Sequence, residues 1–192
     1  MKRRLRKKII SRKFYQRSTL RVAQDLLGCF LVRKIGQKII RGKITEVEAY
    51  IGEDDLASHA SKGRTPRTEI MFGAAGHAYV YMIYGMYHCL NVVTEKKNFP
   101  AAVLIRSIEI ENNPPLLGKE RAGERLDGPG KLCRFLKIDR KLNGWDLTRG
   151  EKLWIEPAFA KATAGKVKKS KRIGVDYARH CKHYLWRFHI AG

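Results

Sequence analysis

AYVYMIYGMYHCLNVVT, residues 78–94, is the stretch on which the fold turns. It is the part of the chain richest in β-forming residues, and its only break is Tyr84-Gly85-Met86. Aromatic and β-branched side chains suit a pleated, half-buried surface, and glycine supplies the backbone angles of a tight reversal. The stretch reads as a hairpin with an apolar, aromatic tip. An isolated hairpin buries little, so Tyr84 and Met86 stay in water unless something covers them. Two readings stay open: a hairpin folded onto its own core or another copy, or a wedge for a base stack. Asn91 is out of place in the apolar run LNVV, because a buried amide needs partners. It either makes a structural hydrogen bond or faces a base edge.

Working outward, KITEVEAY at 43–50 alternates as a strand does. Strict alternation puts Ile44, Glu46, Glu48 and Tyr50 on one face, and Thr45, Val47 and Ala49 on the other. Two carboxylates and a phenol then share a surface. They are either ordinary acids on a wet edge or a general base beside a groove, and periodicity does not choose between Glu46 and Glu48. Ser18–Leu27 reads as a short helix capped by Ser18 and ended by Gly28, with Leu20, Ala23 and Leu27 on one face. Strand-like runs follow at Cys29–Arg33 and, after a turn at Gly36, through Ile39 and Ile40. Residues 52–70 form a long polar loop, and Ala101–Ile110 a further strand. A helical stretch is expected around Lys119–Arg125, and Gly128-Pro129-Gly130 leads into a helix at Lys131–Leu136. Residues 1–13 read as a basic arm, and about 158–171 as a mobile basic loop. The whole is one α+β domain, residues 14–192, around a curved antiparallel or mixed sheet with flanking helices.

The charge identifies a partner class. Forty Lys and Arg against 18 Asp and Glu give a formal charge of +22 in 192 residues. Such a chain finds compensation most readily on a polyanion, so nucleic acid leads and an anionic membrane follows. Ten of the first 21 residues are basic and none is acidic, whereas Glu46–Glu69 holds six acids. Carboxylates weaken binding to DNA, so an acidic island in a basic chain calls for another reason, such as acid–base chemistry. The four cysteines are scattered with no C-x-x-C, and His180, Cys181 and His183 fit no standard zinc spacing, so no metal is expected. The cationic N-terminus lacks a signal-peptide core, and no run approaches the ~18 apolar residues of a membrane span. A soluble, intracellular protein follows.

Three further side chains qualify as candidates. His59 lies eleven residues beyond Glu48, in DDLASHASKGRTPR, near a turn able to return it to the same pocket. Arg64 and Arg67 flank Pro66 in a basic turn suited to phosphates. Arg106 ends the apolar run AAVLIR, and a partly buried guanidinium calls for an acid such as Glu48 or a bound phosphate.

Taken together, FYQRSTLRVAQDLLGCFLVR (14–33), ITEVEAYIGEDDLASHASKGRTPR (44–67), MFGAAGHAYVYMIYGMYHCLNVVT (71–94), AAVLIRSIE (101–109), DGPGKLCRFLKI (127–138) and RIGVDYARHCKHYLWRFHIAG (172–192) resemble the alkyladenine (3-methyladenine) DNA glycosylases. The resemblance runs in order over about nine-tenths of the chain. It implies a base-excision enzyme that flips damaged purines from double-stranded DNA and hydrolyses the glycosidic bond, with a hairpin entering the minor groove. Glu48 is then the general base, and Arg106 lies near the attacking water. The backbone carbonyl of Ile173 is that water's other acceptor. Tyr50, His59 and Tyr81 enclose the flipped base, Tyr84 intercalates, and Asn91 screens purines by clashing with the 2-amino group of guanine. Arg64, Thr65 and Lys131 contact phosphates. The resemblance implies no cofactor and no lyase activity. It also implies a monomer, cytoplasmic in a bacterium or nuclear in a eukaryote. The family commonly continues past R-F-x-I-x-G with Asn-Pro-x-Val-Ser, where this sequence stops at Gly192; that would trim the sheet edge and not the pocket. The charge alone equally supports a non-catalytic DNA- or RNA-binding module.

Overall fold

The computed structural model describes residues 9–111, 125–158 and 167–191. In it the two runs read on either side of Gly42 are one strand. β1 (Phe30–Ile35) turns at Gly36 into β2 (Lys38–Ile51), which extends for 14 residues. Gly42 marks a close approach rather than a break: a Cβ there would lie 2.6 Å from Cδ1 of Ile108 on the adjacent strand. The stretch 78–94 forms β3 (Ala78–Ile83) and β4 (Tyr87–Val93). Tyr84 and Gly85 both take left-handed φ, 51° and 68°, and the Met86 N–H donates to the Ile83 carbonyl at 3.2 Å. A tyrosine in that region is strained unless the turn requires it.

β5 (Ala101–Ile110) pairs with both β4 and β2, and β6 (Arg125–Asp127) pairs with β5. β7 (Leu153–Glu156) pairs with β1, giving the order β3-β4-β5-β2-β1-β7. β8 (Val167–Ser170) pairs with β9 (Arg187–Ile190), which joins β2. Every pairing among the described residues is antiparallel, which removes the mixed alternative. The basic loop read at about 158–171 is corrected at its C-terminal end, since residues 167–170 are strand. Residues 159–166 lie outside the described residues, as does the helix read around Lys119–Arg125 up to residue 124; Arg125 itself begins β6. Of the basic arm, residues 1–8 also lie outside. Residues 9–13 pack against the body instead: the Ile10 N–H donates to the Ile155 carbonyl at 3.0 Å, and Arg12 pairs with Asp146 at 2.7 Å.

The alternation in β2 is broken, and this corrects the face assignment of Ile44. Register shifts between Ile44, Glu46 and Val47 are matched on β5, where Ile108, Ser107 and Ile105 are their partners. Each strand inserts one extra residue, so the pairing slips and then recovers. Ile44 therefore joins Val47 and Ala49 in the main core with Val103, Ile105 and Ile108, while Glu46, Glu48 and Tyr50 keep the opposite face. Without the bulge, alternation would place Ile44 on the polar face.

Helices α1 (Arg12–Tyr15), α2 (Thr19–Leu26) and α3 (Pro129–Phe135) flank the sheet. α2 buries Thr19, Val22, Ala23 and Leu26, packs on β2 and β5, and is followed by Gly28 at φ 83°. Leu20 is only half-buried. Ser18 holds the cap position without a side-chain bond; the Glu95 carboxylate instead accepts from the Thr19 N–H at 2.7 Å and its hydroxyl at 2.9 Å. A distant acid thus caps the helix, and its charge suits the N-terminal end of the helix dipole. α3 begins on Pro129, one turn position in which the missing N–H costs nothing. Glu95→Ala should lower unfolding free energy by about 1–2 kcal/mol in urea denaturation, with the near-ultraviolet circular dichroism of the folded state unchanged.

Candidate active site

The register lines up a row of residues across five strands. Tyr79 on β3 faces Asn91 on β4, which faces Leu104 on β5, which faces Glu48 on β2, which faces Arg187 on β9. Tyr81 and Cys89 form the next step of that face. Because side chains alternate along each strand, the row lies away from the main core. Between it and the loops at 57–59 and 173–177 is a cavity of about 330 Å³, the low end of the ~300–1,000 Å³ typical of small-molecule sites. Tyr50, His59, Tyr81, Asn91, Arg106 and Ile173 all line it.

Glu48 is fully buried behind that wall. Its Oε2 accepts from the Tyr50 hydroxyl at 2.8 Å and from Arg106 Nη1 at 3.4 Å, and its Oε1 accepts from the Ile173 N–H at 2.8 Å. Burial pushes its carboxyl up from the ordinary range, against the opposing pull of Arg106, the Ile173 amide and the Tyr50 hydroxyl. Glu46 differs. Burial pushes it upward too, but bonds from Arg187 Nε at 2.7 Å and Arg106 Nε at 2.9 Å prevail and hold it low. The structure therefore separates the two acids that periodicity left equal. Glu46 anchors two guanidinium groups, whereas Glu48 is the more basic acid and its three partners line the cavity. Arg106 bridges both, and its shorter bond goes to Glu46.

The aromatic wall is neutral. Burial first, and then neighbouring Glu48 for Tyr50 and Cys89 for Tyr81, raise both phenols well above their usual range. Burial, with Arg67 and Lys62 nearby, pushes the His59 imidazole down to about 4. His59 Nδ1 shares a 2.9 Å hydrogen bond with the Tyr79 hydroxyl, and its ring meets Tyr81 edge-on at 4.5 Å. Asn91 Nδ2 donates to the Tyr79 carbonyl at 3.1 Å, so the amide has a structural bond and a place in the cavity wall together.

Other predicted residues lie at the rim or beyond it. Tyr84 is 85% exposed at the hairpin tip and reaches the mouth of the cavity. Arg64 stacks over Phe72 and donates to Asn98 Oδ1 at 2.8 Å, while Thr65 is tied into a turn with Thr68. Lys131 stands exposed in the first turn of α3. The sequence reading missed Asp55 and Arg172, a fully buried ion pair beneath Tyr50. Both fall inside stretches of family resemblance, but 117 positions separate them and no spacing joins them. Among the described residues no group of three His, Cys, Asp or Glu side chains is placed to hold a metal, and all four cysteines are buried and unpaired.

The profile of the methylpurine-DNA glycosylase family matches residues 13–192. This chain belongs to that family. A relative from Methanocella arvoryzae is 48% identical over 188 residues, 94% of this chain and 92% of that protein. One from Clostridium acetobutylicum is 44% identical over 199 residues, covering 94% and 93%. Another, from Legionella pneumophila strain Corby, is 46% identical over 181 residues, again covering 94% and 93%. All three carry the name "Putative 3-methyladenine DNA glycosylase". Membership supports DNA glycosylase activity on alkylated bases, and so a DNA substrate. Among the described residues no helix is long and apolar enough to cross a membrane.

A neutral His59 has a direct signature. In the folded protein its ring resonances should titrate near pH 4 rather than near 6.5, as read by NMR of the imidazole carbons.

Proposed function

We propose that the chain flips an alkylated or deaminated purine out of duplex DNA into the aromatic cavity and hydrolyses its N-glycosidic bond. The substrates are 3-methyladenine, 7-methylguanine, hypoxanthine and ethenoadenine, and the product is an abasic site. The observation that carries this reading is the buried Glu48 carboxylate held by three residues of the cavity wall.

A carboxylate accepts about four hydrogen bonds, so Glu48 can take one from water beyond its three protein donors. Burial makes it a stronger base than a surface acid, while Arg106 favours its ionised form. Water reaches it between Arg106 and Ile173, which line the cavity and touch the carboxylate; the Ile173 carbonyl is the second acceptor. As the bond to the base breaks, positive charge grows on the sugar, and the fixed negative charge of Glu48 stabilises it. Alkylated purines such as 3-methyladenine already carry positive charge and leave readily. Tyr50 and Tyr81 present electron-rich faces to them, an attraction of roughly 0.5–2 kcal/mol. Asn91, held by its bond to Tyr79, disfavours the 2-amino group and so screens out undamaged guanine, while cationic 7-methylguanine, which bears the same group, is drawn in by the tyrosine faces and leaves readily. A lyase needs an amine nucleophile, and among the described residues no lysine lines the cavity, which supports a monofunctional hydrolase.

Recognition begins outside the pocket. The hairpin enters the minor groove and Tyr84 fills the gap left by the extruded base, which offsets part of the few kcal/mol that flipping costs. Arg64, Thr65 and Lys131 hold phosphates.

Glu48→Gln should slow base release at least about 10²-fold in single-turnover assays while retaining lesion-duplex binding; release at the wild-type rate would refute the mechanism. Tyr84→Ser should weaken capture of lesion duplex more than binding of undamaged duplex, measured side by side by fluorescence anisotropy. Equal losses would argue against a wedge.

A further inference from the structure

The buried pair beneath Tyr50 does more than close a gap in packing. Arg172 and Asp55 have side-chain exposures of 0% and 1%. The guanidinium donates to Asp55 Oδ2 at 2.6 Å and Oδ1 at 2.8 Å, to the Ala49 carbonyl at 2.9 Å and to the Cys181 carbonyl at 3.2 Å. It also stacks under Tyr50, 4.8 Å from the ring centre, and against Trp186 at 5.1 Å. Asp55 accepts the N–H of Ile51 at 3.2 Å and of Ala57 at 3.1 Å, at the start of the loop that carries His59. The residue after Arg172 is Ile173, whose amide holds Glu48. Neither member of the pair lines the cavity. A buried ion pair is weak evidence for stability, because apolar replacements often do as well. This one, however, touches two of the three groups on Glu48 through a ring and a peptide bond.

We propose that Arg172 and Asp55 are positioning residues for base excision: together they hold Tyr50 and the Ile173 amide on Glu48, and their mutual neutralisation sets how readily Glu48 ionises. This rests on Glu48 being the general base. The other groups that face Glu48 are Glu46 and Tyr50 on its own strand, Arg106 on β5, Arg187 opposite it on β9, Tyr81 on β3 and Cys89 on β4. Glu46 is occupied by Arg106 and Arg187, and the phenols and thiol stay neutral at physiological pH. The charge of the Arg172–Asp55 pair is therefore a free variable. Asp55→Asn keeps the shape but leaves a cation beneath Tyr50, which favours ionised Glu48. Arg172→Met leaves an anion there and loosens the Ile173 amide, and both effects disfavour ionised Glu48. Activity requires the ionised form, so the first variant moves the acid limb of the rate profile to lower pH and the second to higher pH.

The test is single-turnover release from duplex containing 7-methylguanine. That base is already cationic and leaves without further protonation, so its acid limb reports Glu48. Asp55→Asn should shift the limb down and Arg172→Met up, each by roughly one pH unit, the order expected when one nearby unit charge is left uncompensated at an effective dielectric near 20. The double variant should return toward the wild-type midpoint. Shifts in the same direction, or an unmoved limb in Asp55→Asn, would overturn the inference, since a purely structural role lowers the rate without opposite shifts. If circular dichroism shows Arg172→Met unfolded, the direction in Asp55→Asn decides alone. Wild-type release by Glu48→Gln would instead remove the general base itself, and the inference with it.

Discussion

The burial of one carboxylate organises this molecule. An ionised acid taken out of water loses several kcal/mol of solvation, which must be returned by donors aimed at it. Glu48 receives three, from Tyr50 on its own strand, Arg106 on the neighbouring strand and the backbone of Ile173 far along the chain. Each donor is then fixed by the acid as much as the acid is by the donors. The orientation of Tyr50, the reach of Arg106 and the approach of the 172–177 segment all follow from satisfying that one group. Those constraints also shape the cavity, since all three donors lie in its wall.

The sheet makes the arrangement possible through register. A row from Tyr79 through Asn91, Leu104 and Glu48 to Arg187 requires five antiparallel strands to be in step. Paired irregularities in β2 and β5 let Ile44 and Ile108 rejoin the core while Glu46, Glu48 and Arg106 stay opposite. A bulge in only one strand would have left a permanent slip, and a one-residue slip exchanges the faces of every residue beyond it. Two matched insertions confine the disturbance to the stretch that holds the charged groups.

The acids in this basic chain are separated by environment. Glu46 is tied down by two guanidinium groups and kept a weak base, Asp55 is paired with Arg172, and Glu48 is left more basic than Glu46. Neutral phenols and a neutral imidazole complete the surroundings, with Glu48 and Arg106 as the paired charges beside the cavity. The surplus of Lys and Arg elsewhere suits a polyanionic substrate.

The hairpin at 78–94 was legible from local rules, because β-forming side chains broken by Tyr-Gly-Met admit few other structures. So were the strand at 101–110, the helix beginning near Ser18 and the helix read at Lys131–Leu136, although it starts two residues earlier, on Pro129 of the expected turn. Family resemblance singled out Glu48 and its companions, which alternation alone had left equal to Glu46. Three features needed the folded chain. The runs ending at Ile40 and beginning at Lys43 join into one strand across Gly42, whose missing side chain makes room for that of Ile108, 66 positions away. Glu95 caps α2 from a distant turn, so Ser18 beside the helix misled. Asp55 and Arg172 meet across 117 positions. The sequence by itself determined which segments extend or coil and how charge is distributed, since both depend on neighbours along the chain. Only the tertiary structure decided which acid is buried with its carboxyl pushed up and which cations neutralise the others, because burial and pairing are properties of neighbours in space.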